Sequence, residues 1–367
     1  MFTREGSSMK INFLTTKLSG LTGGVIYDEK FYNELAKYFS GKVSLIEDAC
    51  FGDEYANVSP NFVRFNKIYV KHAQDILDCD YLFINSRLYT RFFRFPWKIN
   101  SRCKLILIHH HFDFMTHSGI RRVIHKHLEL GFLGKAFCII TPNPYTKDMI
   151  RRVNLDNNVE LLEAYIDKDI HRPSNDDKKD VISFIGTVEP RKGLHYGIPA
   201  FRKFLDHHPS YVFKIAGTIK SNSYTNKLKE IIQDLHLENR VLFLGRVDDA
   251  QKVKLYKESK CFLFPSQNEG YGLVLIEAMS YGLPVVAFDN TAMPYTVNSQ
   301  NGRIVNNRDI DAMAQALDEV VDHSAIYDKL VQGAYKTVDK LPEKSQIEAE
   351  YSHFFNKIEE KKGTALL

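Results

Sequence analysis

Two carboxylates eight residues apart, Glu269 and Glu277, lie in the segment Pro265-Ser266-Gln267-Asn268-Glu269-Gly270-Tyr271-Gly272-Leu273-Val274-Leu275-Ile276-Glu277-Ala278-Met279. The apolar run Cys261 to Phe264 stops at Pro265, and a helix-compatible series begins after Gly272. Glu269 is therefore expected on a strand-to-helix loop and Glu277 on the helix that follows. Gly270 and Gly272 allow the backbone to approach a ligand closely, and amides that open a helix favour an anion. A plain account of the pair is one acid favourable to a helix dipole and one surface acid. That account suits Glu269. It suits Glu277 less well, because Val274, Leu275, Ile276, Ala278 and Met279 make the helix apolar almost all round, and an acid there needs a partner such as a pair of sugar hydroxyls.

Three further groups have chemical potential. Thr187-Val188-Glu189-Pro190-Arg191-Lys192-Gly193 follows an apolar run at Val181 to Gly186, and Arg191 and Lys192 are suited to phosphate oxygens. A solvated Arg-Lys turn fits the same residues equally well. Ser19-Gly20-Leu21-Thr22-Gly23-Gly24-Val25 follows the first apolar run; it is either a phosphate-cradling loop or a flexible turn, and lacks both the dinucleotide and the Walker glycine spacing. His109, His110 and His111 close another run, with Asp113, His117, His125 and His127 beyond. Adjacent imidazoles on a strand alternate sides and no zinc-binding spacing appears, so no metal site is expected. One of His109 and His110 is suited to orienting a hydroxyl or steadying a reacting oxygen, and at least one is expected to be an ordinary hydrogen-bonded strand-end histidine.

These residues need a scaffold of parallel β/α units, and the chain reads as one. Strands are expected at Ile11 to Thr15, Val43 to Glu47, Tyr81 to Asn85, Leu105 to His109 and Phe137 to Thr141. A second set is expected at Val181 to Gly186, Val212 to Gly217, Val241 to Leu244, Cys261 to Phe264 and Val285 to Phe288. Two doubly wound domains in tandem follow, residues 1–167 and 168–342, with the polar stretch Asp167 to Lys179 as linker. A charged helix from about Glu343 to Lys361, within residues 343–367, is expected to pack back on the first domain. Ligands of such domains bind beyond the carboxyl ends of the strands, so two facing loop sets are expected to form a cleft.

Composition narrows the function. The 367 residues are 44% hydrophobic, enough for two cores. No apolar run approaches the roughly 20 residues of a membrane-spanning helix. Met1 to Ser8 is polar, Met9 resembles a natural start, and a cytoplasmic location is expected. Five cysteines without a C-x-x-C pair read as reduced thiols. The net charge of +4 is too small to argue for nucleic acid, and no base-reading module is present. Residues 1–170 hold 23 basic against 19 acidic side chains, and Arg87 to Lys104 has six basic residues, no acid and five aromatics. That stretch is expected to make peripheral membrane contact, or else to be a half-buried amphipathic helix.

The run from Val241 to Val305, with Phe264-Pro265-Ser266, Glu269-Gly270-Tyr271-Gly272-Leu273, Glu277-Ala278-Met279, Gly282-Leu283-Pro284-Val285-Val286, Pro294 and Asn301-Gly302, closely resembles retaining glycosyltransferases of family 4. Gly186 to Gly193 resembles that family's phosphate loop. The first half resembles it in outline only, through Gly23-Gly24, the histidine after the fourth strand and Asn143-Pro144-Tyr145-Thr146. The resemblance implies an α/β, GT-B fold of two Rossmann-like domains, the first for acceptor and the second for a nucleotide-sugar, expected to be a UDP-sugar. It implies Glu269 beside the donor sugar, Glu277 on the ribose and Arg191 with Lys192 on the diphosphate. The backbone from Gly270, Tyr271 and Gly272 to Leu273 and Val274 would lie against the distal phosphate or sugar. Gly23 and Gly24 would approach the diphosphate, Arg246 and Val247 the base.

The implied reaction moves a hexose to a glycan or lipid-linked saccharide with retention, by front-face attack and without cofactor or metal. Lys192 and the histidines would assist Glu269 at the reacting centre. Three departures stand out: Thr187 where an arginine is common, Glu163-Ala164-Tyr165-Ile166-Asp167 in place of a Pro-Asn-Gly hinge, and Tyr295 where a glutamate often follows Pro294. The alternative is a sugar-nucleotide-binding protein of another class, epimerase-like or without catalysis.

Overall fold

The computed structural model describes residues 9–18, 23–52, 62–153, 155, 158–163, 178–270, 272–322 and 324–361. Met1 to Ser8, Ser19 to Thr22, most of the expected linker (167–177) and Tyr271 lie outside them. Two compact units form: Met1–Tyr165 with Pro342–Leu367, and Ile166–Leu341.

The first unit runs β1 (Ile11–Thr15), α1 (Gly23–Tyr38), β2 (Val43–Glu47), α2 (Phe62–Lys71), α3 (Ala73–Leu77), β3 (Tyr81–Asn85), β4 (Lys104–Ile108), α4 (Gly119–Leu133), β5 (Cys138–Thr141), α5 (Pro144–Arg152) and β6 (Asn158–Leu161). Its sheet is parallel, in the order β2-β1-β3-β4-β5-β6. β1, β4 and β5 are near-continuous apolar runs because both faces of a parallel sheet are covered. Asn143 starts α5 by accepting a hydrogen bond from the Thr146 amide at 2.7 Å, with Pro144 in the first turn.

The second unit runs β7 (Val181–Ile185), α6 (Leu194–Phe204), β8 (Val212–Ala216), α7 (Asn222–Asp234), β9 (Val241–Gly245), α8 (Asp249–Glu258), β10 (Cys261–Phe264), α9 (Leu273–Ser280), β11 (Val285–Asp289), α10 (Met293–Thr296), β12 (Gly302–Asn306), α11 (Ile310–Val321) and α12 (Ser324–Asp339). Its parallel sheet has the order β12-β11-β10-β7-β8-β9. The order reverses between β7 and β10. In the first unit it reverses between β1 and β3. Such reversals splay successive connections to opposite faces and open a crevice at the strands' carboxyl ends.

The last helix, α13 (Lys344–Glu360), belongs to the first unit. Ile347, Tyr351, Phe354, Phe355 and Ile358 form its buried face. The Phe355 ring lies 5.7 Å from Phe31 and 5.8 Å from Phe39, and Tyr81 donates its hydroxyl to the Ile358 carbonyl at 2.8 Å.

Three expectations change. β6 and β12, the two strands not read from the sequence, each pair at a sheet edge and are only partly buried. β4 spans Lys104–Ile108, so His109 stands just beyond it. The stretch from Arg87 to Lys104 is neither an amphipathic helix nor a surface aromatic patch. It contains short 3-10 turns at Ser86–Arg91 and Trp97–Asn100, with Tyr89, Phe92 and Phe95 in the core. Their spacing of three places them on one side of a tightly wound segment. Arg91 is turned inward as well, 2.5 Å from the Asp48 carboxylate and 2.8 Å from the Tyr69 hydroxyl. Phe93 and Trp97 are half-buried, and Arg87, Arg94, Lys98 and Arg102 stay exposed.

Phe355→Ala should cost about 3–5 kcal/mol, because a fully buried ring leaves a cavity among aromatic neighbours. The expected outcome is earlier unfolding of the first unit in urea, followed by hydrogen exchange on β1 and α1. Unchanged protection there would refute the packing described for α13.

Candidate active site

The reversal between β7 and β10 brings two loops together. The loop after β7 ends in a short 3-10 turn, Pro190–Lys192, carrying both cations. The loop after β10 carries Ser266 and Glu269. They are fastened to each other: the Gln267 amide donates to the Arg191 carbonyl at 2.9 Å. Gly193 has φ +67° and sits so close to the Pro265 carbonyl that a Cβ would overlap it. Only glycine meets both demands. Asn290 holds the Ser266 carbonyl at 2.8 Å, and the Thr291 hydroxyl accepts from the Glu269 amide at 3.0 Å.

Glu269 is 9% exposed, and three donors converge on its Oε1: Lys192 Nζ at 2.5 Å, Arg191 Nη1 at 2.9 Å and Ser266 Oγ at 2.7 Å. Among the described residues Oε2 takes no hydrogen bond. Burial alone would push this carboxyl up, but Lys192 and Arg191 outweigh it and hold the group at about 2. Burial draws Lys192 below its ordinary value, with Glu269 opposing. Burial also works against Arg191, yet Glu269 and Glu189 raise it. Arg191 further reaches the Asn268 carbonyl at 2.6 Å and, through Nη2, Glu189 at 2.9 Å. The two cations expected to be open to phosphate are thus already paired, two against two.

Gly272, at φ +76°, precedes α9 and supplies no side-chain cap. Among the described residues the Leu273 and Val274 amides have no acceptor, and the dipole at a helix start favours an anion. Gly270 is half-buried beside it, and Tyr271 lies outside the described residues. Glu277 departs from expectation. Its helix is buried through Leu275, Ile276, Ala278 and Met279, but its own side chain is 36% exposed and already meets Lys252 at 3.3 Å and the Tyr256 hydroxyl at 3.2 Å. The protein itself supplies the partner that the apolar surroundings demanded. Arg246, exposed, and Val247, half-buried, follow β9 without joining the Glu269 cluster.

The first unit separates the histidines. His109 is fully buried, its Nδ1 2.7 Å from the Ser86 hydroxyl, and burial holds it down to about 3. It is a neutral core group at pH 7, and among the described residues its Nε2 has no hydrogen-bond partner. His110 differs: its Nε2 lies 2.9 Å from Asp28 Oδ1, and a Cβ on Gly24 would sit 3.5 Å from its ring. Asn85 donates to the other Asp28 oxygen at 2.5 Å. Gly23 and Gly24 open α1 beside this group. Asp28, Asn85 and Ser266 were not singled out by spacing. The signal for Asp28 was its place one turn into the helix that follows the first strand.

Two Rossmann-like sheets in this chain order define the GT-B fold. Residues 166–337, most of the second unit, match the family of Glycosyl transferases group 1. An uncharacterized glycosyltransferase of Haemophilus influenzae is 26% identical over 235 residues, 62% of this chain and 63% of that protein. The O-antigen chain mannosyltransferase B of Escherichia coli is 31% identical over 143 residues, 38% of this chain and 37% of that one. The chain spans about half the length of the curated relatives it matches. Among solved structures, Anabaena HepE in complex with UDP-glucose has a TM-score of 0.74 at 17% identity, covering 95% of this chain and 100% of that one.

The Glu269 carboxyl is ordinarily near 4.5 and here about 2, so its charge stabilises the fold fully above the higher value and progressively less toward the lower. Glu269→Gln should therefore cost about 3 kcal/mol at neutral pH. The gap to wild type should close as pH falls from 4.5 toward 2. Urea denaturation across that range reads it. A gap that does not vary with pH would remove the ion-pair account.

Proposed function

We propose that this chain is a retaining hexosyltransferase that takes its hexose from a nucleotide-sugar, a UDP-sugar, and passes it to a glycan or lipid-linked saccharide in cell-surface polysaccharide or glycolipid synthesis. The observation that carries this is the Glu269 carboxylate held between Lys192 and Arg191 beside the uncapped start of α9. Further support comes from the relative named for O-antigen chain synthesis and from UDP-glucose in the similar HepE structure.

In this reading the diphosphate is the leaving group, and its developing charge is met by the Lys192 ammonium, the Arg191 guanidinium and the Leu273 and Val274 amides. Those donors are fixed in place, so the reaction calls on no divalent ion. As the bond from the anomeric carbon to the phosphate oxygen breaks, the acceptor oxygen bonds to the same face, and its proton passes to the departing phosphate oxygen. Glu269 offers Oε2 to a sugar hydroxyl and favours the cationic transition state without forming a bond. Glu277 receives the ribose hydroxyls, in exchange for Lys252 or Tyr256, and Arg246 and Val247 flank the base. In the first unit His110, oriented by Asp28 next to Gly23 and Gly24, receives a hydroxyl or a phosphate.

The test pairs binding with turnover. Thermal shifts with UDP, GDP, ADP and their hexoses identify the donor, since a bound ligand raises stability by mass action. With that donor, transfer or slow hydrolysis should survive EDTA. Lys192→Ala should lower turnover by about 10²–10³-fold, the loss typical of one donor to a developing anion. Glu269→Ala turning over at the wild-type rate would overturn the assignment. Donor binding without turnover in any variant or in wild type would favour a non-catalytic sugar-nucleotide protein.

A further inference from the structure

The first unit holds a second set of polar groups that the transfer reaction does not use. Asp113 opens a 3-10 turn, Asp113–Thr116, soon after β4; His117 follows that turn, and His125 stands on α4. One ligand atom from each lies within 4.8 Å of the others. His117 Nε2 is 3.3 Å from Asp113 Oδ2, and His125 Nδ1 is 4.0 Å from the same oxygen. The imidazole rings are stacked with centroids 3.8 Å apart. Two nitrogens bound to zinc at about 2.0–2.1 Å in a tetrahedron lie roughly 3.3 Å from each other. The group is therefore within about an ångström of a ligand set, and small rotations of χ1 and χ2 close the difference.

The surroundings make this more than a chance meeting of exposed side chains. Glu129 of α4, itself buried, accepts the Asp113 and Phe114 amides at 3.0 and 2.9 Å, and so fixes the turn that presents Asp113. The Tyr89 hydroxyl, also buried, donates its one proton to Asp113 Oδ2 at 2.8 Å and so accepts from His125 Nδ1–H, a contact that zinc replaces by taking this nitrogen in the tautomer protonated at Nε2. A phenol on a ligating carboxylate is the kind of outer partner that orients metal ligands. The three side chains are each about a quarter to a third exposed, which leaves an entry path and room for a water as fourth ligand. Sequence spacing hid the set, because Asp113, His117 and His125 come from a turn, its end and the second turn of a helix, not from one helical face.

We propose that Asp113, His117 and His125 form a binding site for one divalent transition-metal ion, zinc by its two-nitrogen, one-oxygen donor set, that clamps the turn after β4 onto α4. Its role is structural, and it draws nothing from the donor-site reading.

The test uses the full chain, free of any histidine tag and stripped with chelator. Zinc added alone should bind at one ion per chain, with a Kd at or below about 1 µM by competition against a chromophoric chelator. Excess zinc should raise the thermal midpoint by about 5 °C. Cobalt(II) in its place should give the visible bands of a tetrahedral site. His117→Gln and His125→Gln should each weaken zinc at least about 10-fold and abolish the cobalt bands, with the metal-free midpoint of His117→Gln unchanged. His208→Gln, at a histidine pair in the second unit near Asp318, should change none of these. Absence of stoichiometric binding, or affinity unaltered in both variants at Asp113's partners, would overturn the proposal.

Discussion

A carboxylate shut away from water must be neutralised or paired, and at Glu269 it is paired twice. That requirement ties together two loops that are 77 and 78 residues apart in sequence at their contact points. Neither loop can shift alone. Gly193 lies against the Pro265 carbonyl, Gln267 is bonded to Arg191, and Ser266 and Glu269 are held from behind by Asn290 and Thr291. Moving any of these by an ångström strands a buried charge, which is far costlier than an altered surface contact. The loops can be short and glycine-rich, and still rigid, because an ion pair rather than side-chain bulk fixes them.

Sheet order decides where such a cluster can exist. In the second unit the loops from β7 and β10 meet because the strand order reverses there; in the first, the reversal between β1 and β3 does the same for α1 and Asn85. Both places hold a buried carboxylate that accepts hydrogen bonds from donors on another segment. Their chemistry differs. Asp28 is satisfied by an amide and an imidazole, whereas Glu269 faces two permanent cations.

What the sequence made legible follows from how strongly each feature is marked. Central strands buried on both faces must be continuous apolar runs, so eight of them could be read; the edge strands β2 and β9 are apolar enough to be read too, whereas the other edges, β6 and β12, contain Asn158 and Glu160, or Arg303 and Asn306, and carried no such mark. The E-x7-E pair and the Arg191-Lys192 loop were legible as local strings. Their joining was not, since it depends on strand order. Composition misled at Arg87 to Lys104, where counting aromatics and cations could not show that a three-residue spacing turns Tyr89, Phe92 and Phe95 inward and that Asp48 draws Arg91 with them. The surroundings of Glu277 were hidden for a related reason. An apolar helix does not oblige every side chain to be buried, and Glu277 leaves the helix at its edge toward Lys252.

Arg191 and Lys192 look equivalent as neighbouring cations, but the structure separates them. The planar guanidinium of Arg191 spans two carboxylates and a carbonyl, with Nη1 on Glu269 and Asn268 and Nη2 on Glu189. A rigid fork suits such bridging, and a point charge on a flexible stem does not. The Lys192 ammonium makes a single hydrogen bond among the described residues, to Glu269, and rests 4.9 Å from the centre of the Phe264 ring. Two of its three donors remain uncommitted. A phosphate arriving at α9 can be met by those donors without breaking the Glu269 contact, and Arg191, whose Nε and one Nη2 hydrogen are uncommitted among the described residues, can add to them without releasing either carboxylate. The division of labour is therefore one of degree: Arg191 alone bridges Glu189, Glu269 and the Asn268 carbonyl and so holds the loops together, while Lys192 commits only one of its three donors to that tie.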